Sequence, residues 1–284
     1  TAFYKLSEGK IENRLIVIMD EIEWNNSSNS SYINKPATIT SIYAGIDYEI
    51  KNDAKLKVSA SINLNSDMAF DNIRIYSTDK NISSENLASS TYNNLLICNY
   101  HKLIMGRRID TVSGYYNFGA IIGGIYKENS NIGNSIEKHS MIIESGTYGN
   151  IIVGSSTQGI ISKNVYNEVE IGSRKEGTIG QNDTLKTTYF MLGQNETSMS
   201  AYTSAGDYAN VRLNSGTITD LYMSSRQGTI NNNVNLNMYG GKVTSLYGGA
   251  TKNKDVYTSL TIYGGKNSNI YGQGKNDETY IGCT

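Results

Sequence analysis

A pattern that returns at a nearly constant interval constrains this chain more than any other feature. Val211–Ser224, Leu236–Gly249 and Leu260–Gln273 read VRLNSGTITDLYMS, LNMYGGKVTSLYGG and LTIYGGKNSNIYGQ. Their equivalent glycines, Gly216, Gly241 and Gly265, stand 25 and then 24 residues apart, as do Tyr222, Tyr247 and Tyr271. A fixed period of this length marks an array of stacked units, each unable to bury its apolar face alone. The pattern recurs in MIIESGTYGNIIVG, Met141–Gly154, whose Gly146 lies 70 residues before Gly216. That distance is close to three periods and predicts an unbroken repeat through the C-terminal half.

Within each unit, apolar residues occur at every second position: Val211 and Leu213, Leu236 and Met238, Leu260 and Ile262. A period of two places both on one face of a strand. After the glycine comes a second short strand, carrying Ile218 and Leu221, or Val243 and Leu246, or Ile270. Abundant Asn, Gly, Ser, Thr and β-branched residues, with no sustained helical stripe, argue against helices. The reading is therefore all-β: a single-stranded parallel β-solenoid of 24–25 residues per coil, about 11 coils in all.

Stacking in register predicts two inward ladders, Ile143, Leu213, Met238, Ile262 and Ile151, Leu221, Leu246, Ile270. The position of Ile218 and Val243 becomes Tyr148 in one direction and Asn267 in the other. Two outward tyrosine ladders follow, Tyr222, Tyr247, Tyr271 and Tyr239, Tyr263. With 22 tyrosines against four phenylalanines, the chain favours rings on wet faces, where the ring packs and the hydroxyl meets water.

Residues 1–139 repeat less regularly, although apolar runs recur from Leu15–Met19 to Ala120–Ile125. The sequence divides into irregular coils with a cap and insertions over 1–139 and regular coils over 140–284. An N-terminal β-sandwich over the first 90 or so residues is the other arrangement considered. NIRIYSTDKN favours the coil, because IRIY shares the order of LNMY and LTIY, and RLIVIMDEIEW is the candidate cap. The start without methionine and the end just past Gly282 read as a processed protein or a fragment.

A net charge of −1 provides no field to attract nucleic acid or an anionic membrane, and no apolar run is long enough to span a bilayer. Nucleic acid and membrane insertion are thus excluded as partners. The single proline, Pro36, fits strands whose amides are all engaged. Cys98 and Cys283 are too few for a disulfide framework, and Cys98 in LLICNY reads as a small inward side chain. His101 and His139 lack ligand-spaced partners and read as surface or half-buried residues, so no metal and no cofactor are expected. Asn182–Asp183 and Lys275–Glu278 lack the calcium-binding nonapeptide, and the glycine pairs, Gly248–Gly249 among them, read as corners rather than phosphate cradles. The sequons at Asn26, Asn29, Asn81, Asn182 and Asn195 are weak signals in so Asn-rich a chain.

Arg107, Arg108 and Asp110 form the densest charged cluster, with Glu144 and Arg174 as candidate additions. Cations and carboxylates converging on one groove would suit cleavage of an acidic polysaccharide, whereas the ordinary reading is a salt-bridged turn. The tyrosine ladders Tyr222, Tyr247, Tyr271 and Tyr239, Tyr263 are the candidate partner- or ligand-binding residues, since stacked rings offer a flat strip to sugar rings or to a partner's side chains.

The units SGTYGNIIVGS, YGGKVTSLYGG and YGGKNSNIYGQG resemble the GGT-x-x-x-V/I-YGG repeats of large surface and adhesin-like β-helix proteins of anaerobic bacteria, over roughly Met141 to the end. The resemblance implies a right-handed parallel β-helix, extracellular, with attachment, envelope or filament-forming roles. The expectation is a non-enzymatic structural or adhesive protein of a bacterial cell surface. Its partners would be further copies of itself, in a filament or layer, or a carbohydrate or host-surface ligand. The alternative is a polysaccharide lyase or glycoside hydrolase of the β-helix type.

Overall fold

The computed structural model describes residues 14–25, 32–78, 94–126, 138–154, 165–174, 185–192, 207–223, 233–248 and 257–272. The five sequons, the turns at Asn182–Asp183 and Lys275–Glu278, Gly249 and Cys283 lie outside the described residues. The regular structure of the described residues is nearly all strand, and the long sheets are parallel.

One sheet of nine strands runs in chain order through Leu15–Val17, Ala37–Thr40, Met68–Asp71, Leu103–Met105, Lys138–Ile143, Val165–Ile171, Asp207–Leu213, Asn233–Met238 and Tyr257–Ile262. A second sheet of nine runs through Tyr32–Ile33, Ile62–Leu64, Leu95–Ile97, Phe118–Ile122, Gly146–Ile152, Leu185–Met191, Thr217–Tyr222, Lys242–Tyr247 and Lys266–Tyr271. Each pass through the two sheets lays its strands beside those of the pass before. The described strands make nine such passes, spanning roughly 40 Å at about 4.8 Å per step.

The first four circuits contain a third side. Glu21–Trp24, Lys55–Val58, Ile73–Ser77 and Ile109–Asp110 form a four-stranded parallel sheet between the other two. IRIY, Ile73–Tyr76, belongs here and not to the sheet of LNMY and LTIY, so its shared order reflects strand alternation rather than equivalence. RLIVIMDEIEW, the candidate cap, lies in the first described circuit. It supplies that circuit's strands, Leu15–Val17 and Glu21–Trp24, at the edges of two sheets. The second circuit carries an insertion, an antiparallel pair Ile42–Tyr43 and Ile46–Asp47 followed by helix Tyr48–Asn52.

From Ile143 onward the third side collapses to a corner. Gly146, Gly216, Gly241 and Gly265 take φ of 109°, 113°, 87° and 100°, conformations that L side chains rarely adopt. A Cβ on Gly241 would also stand 3.1 Å from the carbonyl oxygen of Gly216 in the neighbouring corner. Two buried polar side chains close the end of the third sheet. Ser145 Oγ accepts from Ile109 N (2.9 Å) and donates to Gly106 O (2.7 Å), while Asn117 Nδ2 donates to Ile75 O (2.8 Å). The Ile109 amide on the edge strand and the Ile75 carbonyl beyond its reach are thereby satisfied.

Register aligns the inward ladders Ile143, Ile171, Leu213, Met238, Ile262 and Ile151, Phe190, Leu221, Leu246, Ile270. Ile171 and Phe190 are additions to the predicted sets. The interval from Gly146 to Gly216 holds two circuits, not three, because Leu185 occupies the one corner between them. Circuit length is accordingly uneven: Ile143 to Ile171 spans 28 residues and Ile171 to Leu213 spans 42, and only the last two steps keep 25 and 24. Tyr148, Ile218, Val243 and Asn267 do share one ladder, through Thr187. The buried Tyr148 hydroxyl donates to Ser145 O (2.8 Å). Cys98 is buried in the core, where desolvation pushes its thiol pKa up and leaves it inert.

Candidate functional site

Strand spacing dictates ring spacing when tyrosines occupy one register position. Tyr222 and Tyr247 stack at 4.8 Å, Tyr247 and Tyr271 at 5.0 Å, and Tyr239 and Tyr263 at 4.7 Å, all near parallel. The two columns differ in exposure. Tyr222 and Tyr247 point away from the central core yet are only 1% and 7% exposed, contrary to the expectation of open rings; Tyr271 is 44% exposed. They continue an aliphatic column, Ile97, Ile122 and Ile152, on the outer face of the second sheet, and pack in a second apolar cluster there. A ring replacing an isoleucine on an already covered face stays covered.

Tyr239 and Tyr263 remain open, 40% and 64% exposed, at the margin of the first sheet. The Arg212 guanidinium lies 3.7 Å from the centre of the Tyr239 ring and is held by its Nε donating to Asn214 Oδ1 (2.7 Å). At the opposite margin Tyr166 and Tyr208 stack at 5.0 Å. Between the margins the outward side chains are polar: Asn210 Nδ2 donates to Glu168 (3.0 Å) and Asn214 Nδ2 to Glu170 (2.9 Å). Fixed amides and carboxylates between two aromatic rims form a wet platform with flat rings at its edges. Tyr166 and Tyr208 escape a search for repeated glycines, since they precede the repeat unit.

The charged residues gather on the third sheet. Register places Glu21, Lys55, Arg74 and Asp110 side by side on its outer face, two cations flanked by an acid on either side. Helix Tyr48–Asn52 packs against this row. Asp47 caps it, its Oδ1 accepting from Glu49 N (3.0 Å) and Ile50 N (3.3 Å). Arg74 donates to Asp53 (2.6 Å) and Glu49 (3.0 Å), and Arg108 to Asp47 (2.8 Å). The Glu49 carboxyl is 5% exposed, and burial pushes its pKa up to about 6, with Asp110 beside it adding to the rise and the two arginines opposing it.

Of the predicted charged set, Arg108 and Asp110 enter this network, and Arg107 meets Glu144 at 3.8 Å on an exposed face. Arg174 does not join them; it pairs with Glu170, which lies four residues earlier. Glu49, Asp47, Asp53 and Arg74 were missed. The period-two charges of EIEW, KLKV and IRIY were the available signal.

His139 is buried at 2% exposure, not at the surface. Its Nδ1–H donates to Asn167 Oδ1 (2.8 Å), whose Nδ2 in turn donates to Tyr208 O (2.9 Å), and its ring meets Tyr100 edge-on. Burial pulls its pKa down to about 4, so the ring is neutral. His101 is half-buried, with its pKa lowered by desolvation. Among the described residues no group of three or more His, Cys, Asp or Glu side chains is arranged to hold a metal. No described helix is long and apolar enough to cross a membrane.

No protein-family model matches this chain, and neither a curated protein nor a solved structure does.

Proposed function

We propose that the chain is a right-handed, single-stranded parallel β-helix serving as a non-enzymatic structural or adhesive element of a bacterial cell surface. In this reading it is extracellular, and copies of it assemble into a filament or layer. Alternation of the chain between two nine-stranded parallel sheets supports the β-helix. The single observation that carries the adhesive role is the open Tyr239–Tyr263 stack backed by Arg212. Arg212 and Tyr263 take the two faces of Tyr239, so the stack offers its ring edges and the outer face of Tyr263 to the apolar face of a sugar or to a partner's side chain, with the guanidinium supplying donors beside them.

The two tyrosine columns provide the test. Tyr239→Ser with Tyr263→Ser is expected to abolish adhesion to a glycan or host-surface array while leaving the melting temperature near wild type. Tyr247→Ser, at a covered ring, is expected to lower the melting temperature by several degrees and to spare adhesion below it. Unaltered adhesion in the double variant would leave these rings a purely structural role.

The second reading, a polysaccharide lyase or glycoside hydrolase, is favoured by one observation, the Glu49–Asp110 pair beside Arg74 and Arg108. Against it, Glu49 is buried and both guanidiniums already hold carboxylates, which describes a clamp on the helix more than an acid facing a substrate. Incubation with uronic-acid polysaccharides decides between them: release of unsaturated or reducing ends, lost in Glu49→Gln, would replace the adhesive reading.

A further inference from the structure

The outer face of the first sheet changes character along the stack. One outward column reads Leu15, Thr38, Ala69, Ile104 and Ile142, then Glu170, Arg212, Asn237 and Thr261. In its apolar part the small side chain of Ala69 stands between Thr38 and Ile104 and leaves a recess of about 200 Å³. That is the room of about seven waters at roughly 30 Å³ each, the scale of one sugar ring.

Three charged side chains line this recess, Arg14, Asp67 and Lys102. Asp67 Oδ1 accepts from Lys102 N (3.0 Å), so backbone holds this carboxylate in place. Among the described residues neither the Arg14 guanidinium nor the Lys102 ammonium has an ion-pair partner. On the third sheet and its flank, Lys55, Lys57, Arg74 and Arg108 hold carboxylates. Two uncompensated cations at a recess with an apolar floor and one anchored hydrogen-bond acceptor ask for a ligand with an apolar face, a carboxylate and hydroxyls.

We propose that this recess binds a single carboxylate-bearing pyranose, its ring seated on Thr38, Ala69 and Ile104, its carboxylate between Arg14 and Lys102 and a hydroxyl donating to Asp67. The proposal deepens the adhesive reading by naming a ligand class, and rests on it for a glycan as the partner, but it uses none of the tyrosines. The sugar could belong to a uronic-acid polymer or to a terminal sialic acid, which carry the same chemistry.

Titration calorimetry of the 284-residue chain with galacturonic acid, N-acetylneuraminic acid and glucose tests it. Binding of either acid, and not of glucose, is expected, and the acid that binds names the source. Arg14→Gln and Lys102→Gln should each weaken binding at least tenfold, and both sit on the surface, where folding is insensitive to them. Ala69→Phe, which fills the recess, should abolish binding with an unchanged circular dichroism spectrum. Failure of both acids to bind, equal binding of glucose, or full affinity in the Lys102→Gln and Ala69→Phe variants overturns the proposal. Tyr239→Ser with Tyr263→Ser should leave this titration unchanged, so loss of the tyrosine platform and loss of the recess are read separately.

Discussion

The first four circuits and the last three solve the same problem differently. Early circuits interpose a third strand between the two long sheets and enclose Leu56, Ile75, Phe70 and Phe118 completely. Late circuits replace that strand with a glycine corner and still bury Leu213, Leu221, Met238 and Leu246, whereas in the last described one Ile262 and Ile270 are 44% and 53% exposed. Regularity in sequence therefore accompanies the simpler cross-section, whereas the larger core is built where the repeat is hardest to see. Polar chemistry divides similarly, with ion pairs on the early third sheet and an Asn, Glu and Tyr surface on the late circuits.

The sharpest way to break this comparison is to cut into each core. Phe70→Ala removes a fully buried ring that meets Phe118 edge-on at 6.0 Å, and should cost about 3–5 kcal/mol. Ile262→Ala, at a half-open site, should cost about 1 kcal/mol or less. Equal losses in urea unfolding would show that the last circuit is as well covered as the third.

Acidification probes the polar difference, and two buried groups act in opposite directions. The folded-state pKa of His139, about 4, lies below its ordinary 6.5, so the unfolded chain binds the proton first and stability falls between pH 6.5 and 4, by about 3 kcal/mol at most. The folded-state pKa of Glu49, about 6, lies above 4.5, so stability rises as pH falls through 6 toward 4.5, by on the order of 1–2 kcal/mol. His139 has the larger shift, so the wild type should weaken on mild acidification. Glu49→Gln should steepen that loss and a neutral residue at 139 should reverse its sign, both read from midpoints of urea unfolding at pH 7, 6 and 5.

Corner chemistry has a smaller effect. Gly241→Ala should cost about 1–2 kcal/mol, from positive φ and the close Gly216 carbonyl, less than the same change at Gly123, where an added Cβ would collide with the Val153 carbonyl oxygen. Smallest of all, Arg174→Ala breaks a pair whose guanidinium side chain is 64% exposed and should shift stability by less than about 0.5 kcal/mol. The same Glu170 carboxylate, held low by Arg174, contributes above its unfolded pKa and loses that contribution as pH falls through its lowered folded value.

Much of the late region was legible before any coordinates. Alternation marked its strands, and equal spacing aligned Leu213 with Met238 and Ile262, because a parallel ladder needs the same side chain type at the same step. Extending that interval backward failed between Gly146 and Gly216, since a circuit can lengthen outside its strands without disturbing register. The third sheet was illegible for a related reason: its strands are two to five residues long, and their partners lie between 19 and 36 residues away with no constant period. Glu49 and Asp110 stand 61 residues apart in sequence, and only the stacking of circuits makes them neighbours.

Local pattern by itself determined strand, corner and ladder, because a two-residue period and a glycine with positive φ are properties of the backbone next to them. It also determined that tyrosines would stack, since one register position per circuit spaces them by the distance between strands. Which rings are open was decided by the tertiary structure alone. Tyr222 and Tyr247 share the repeat position of Tyr271 and point the same way, but exposure depends on what lies over a face, and that is a property of the assembled stack.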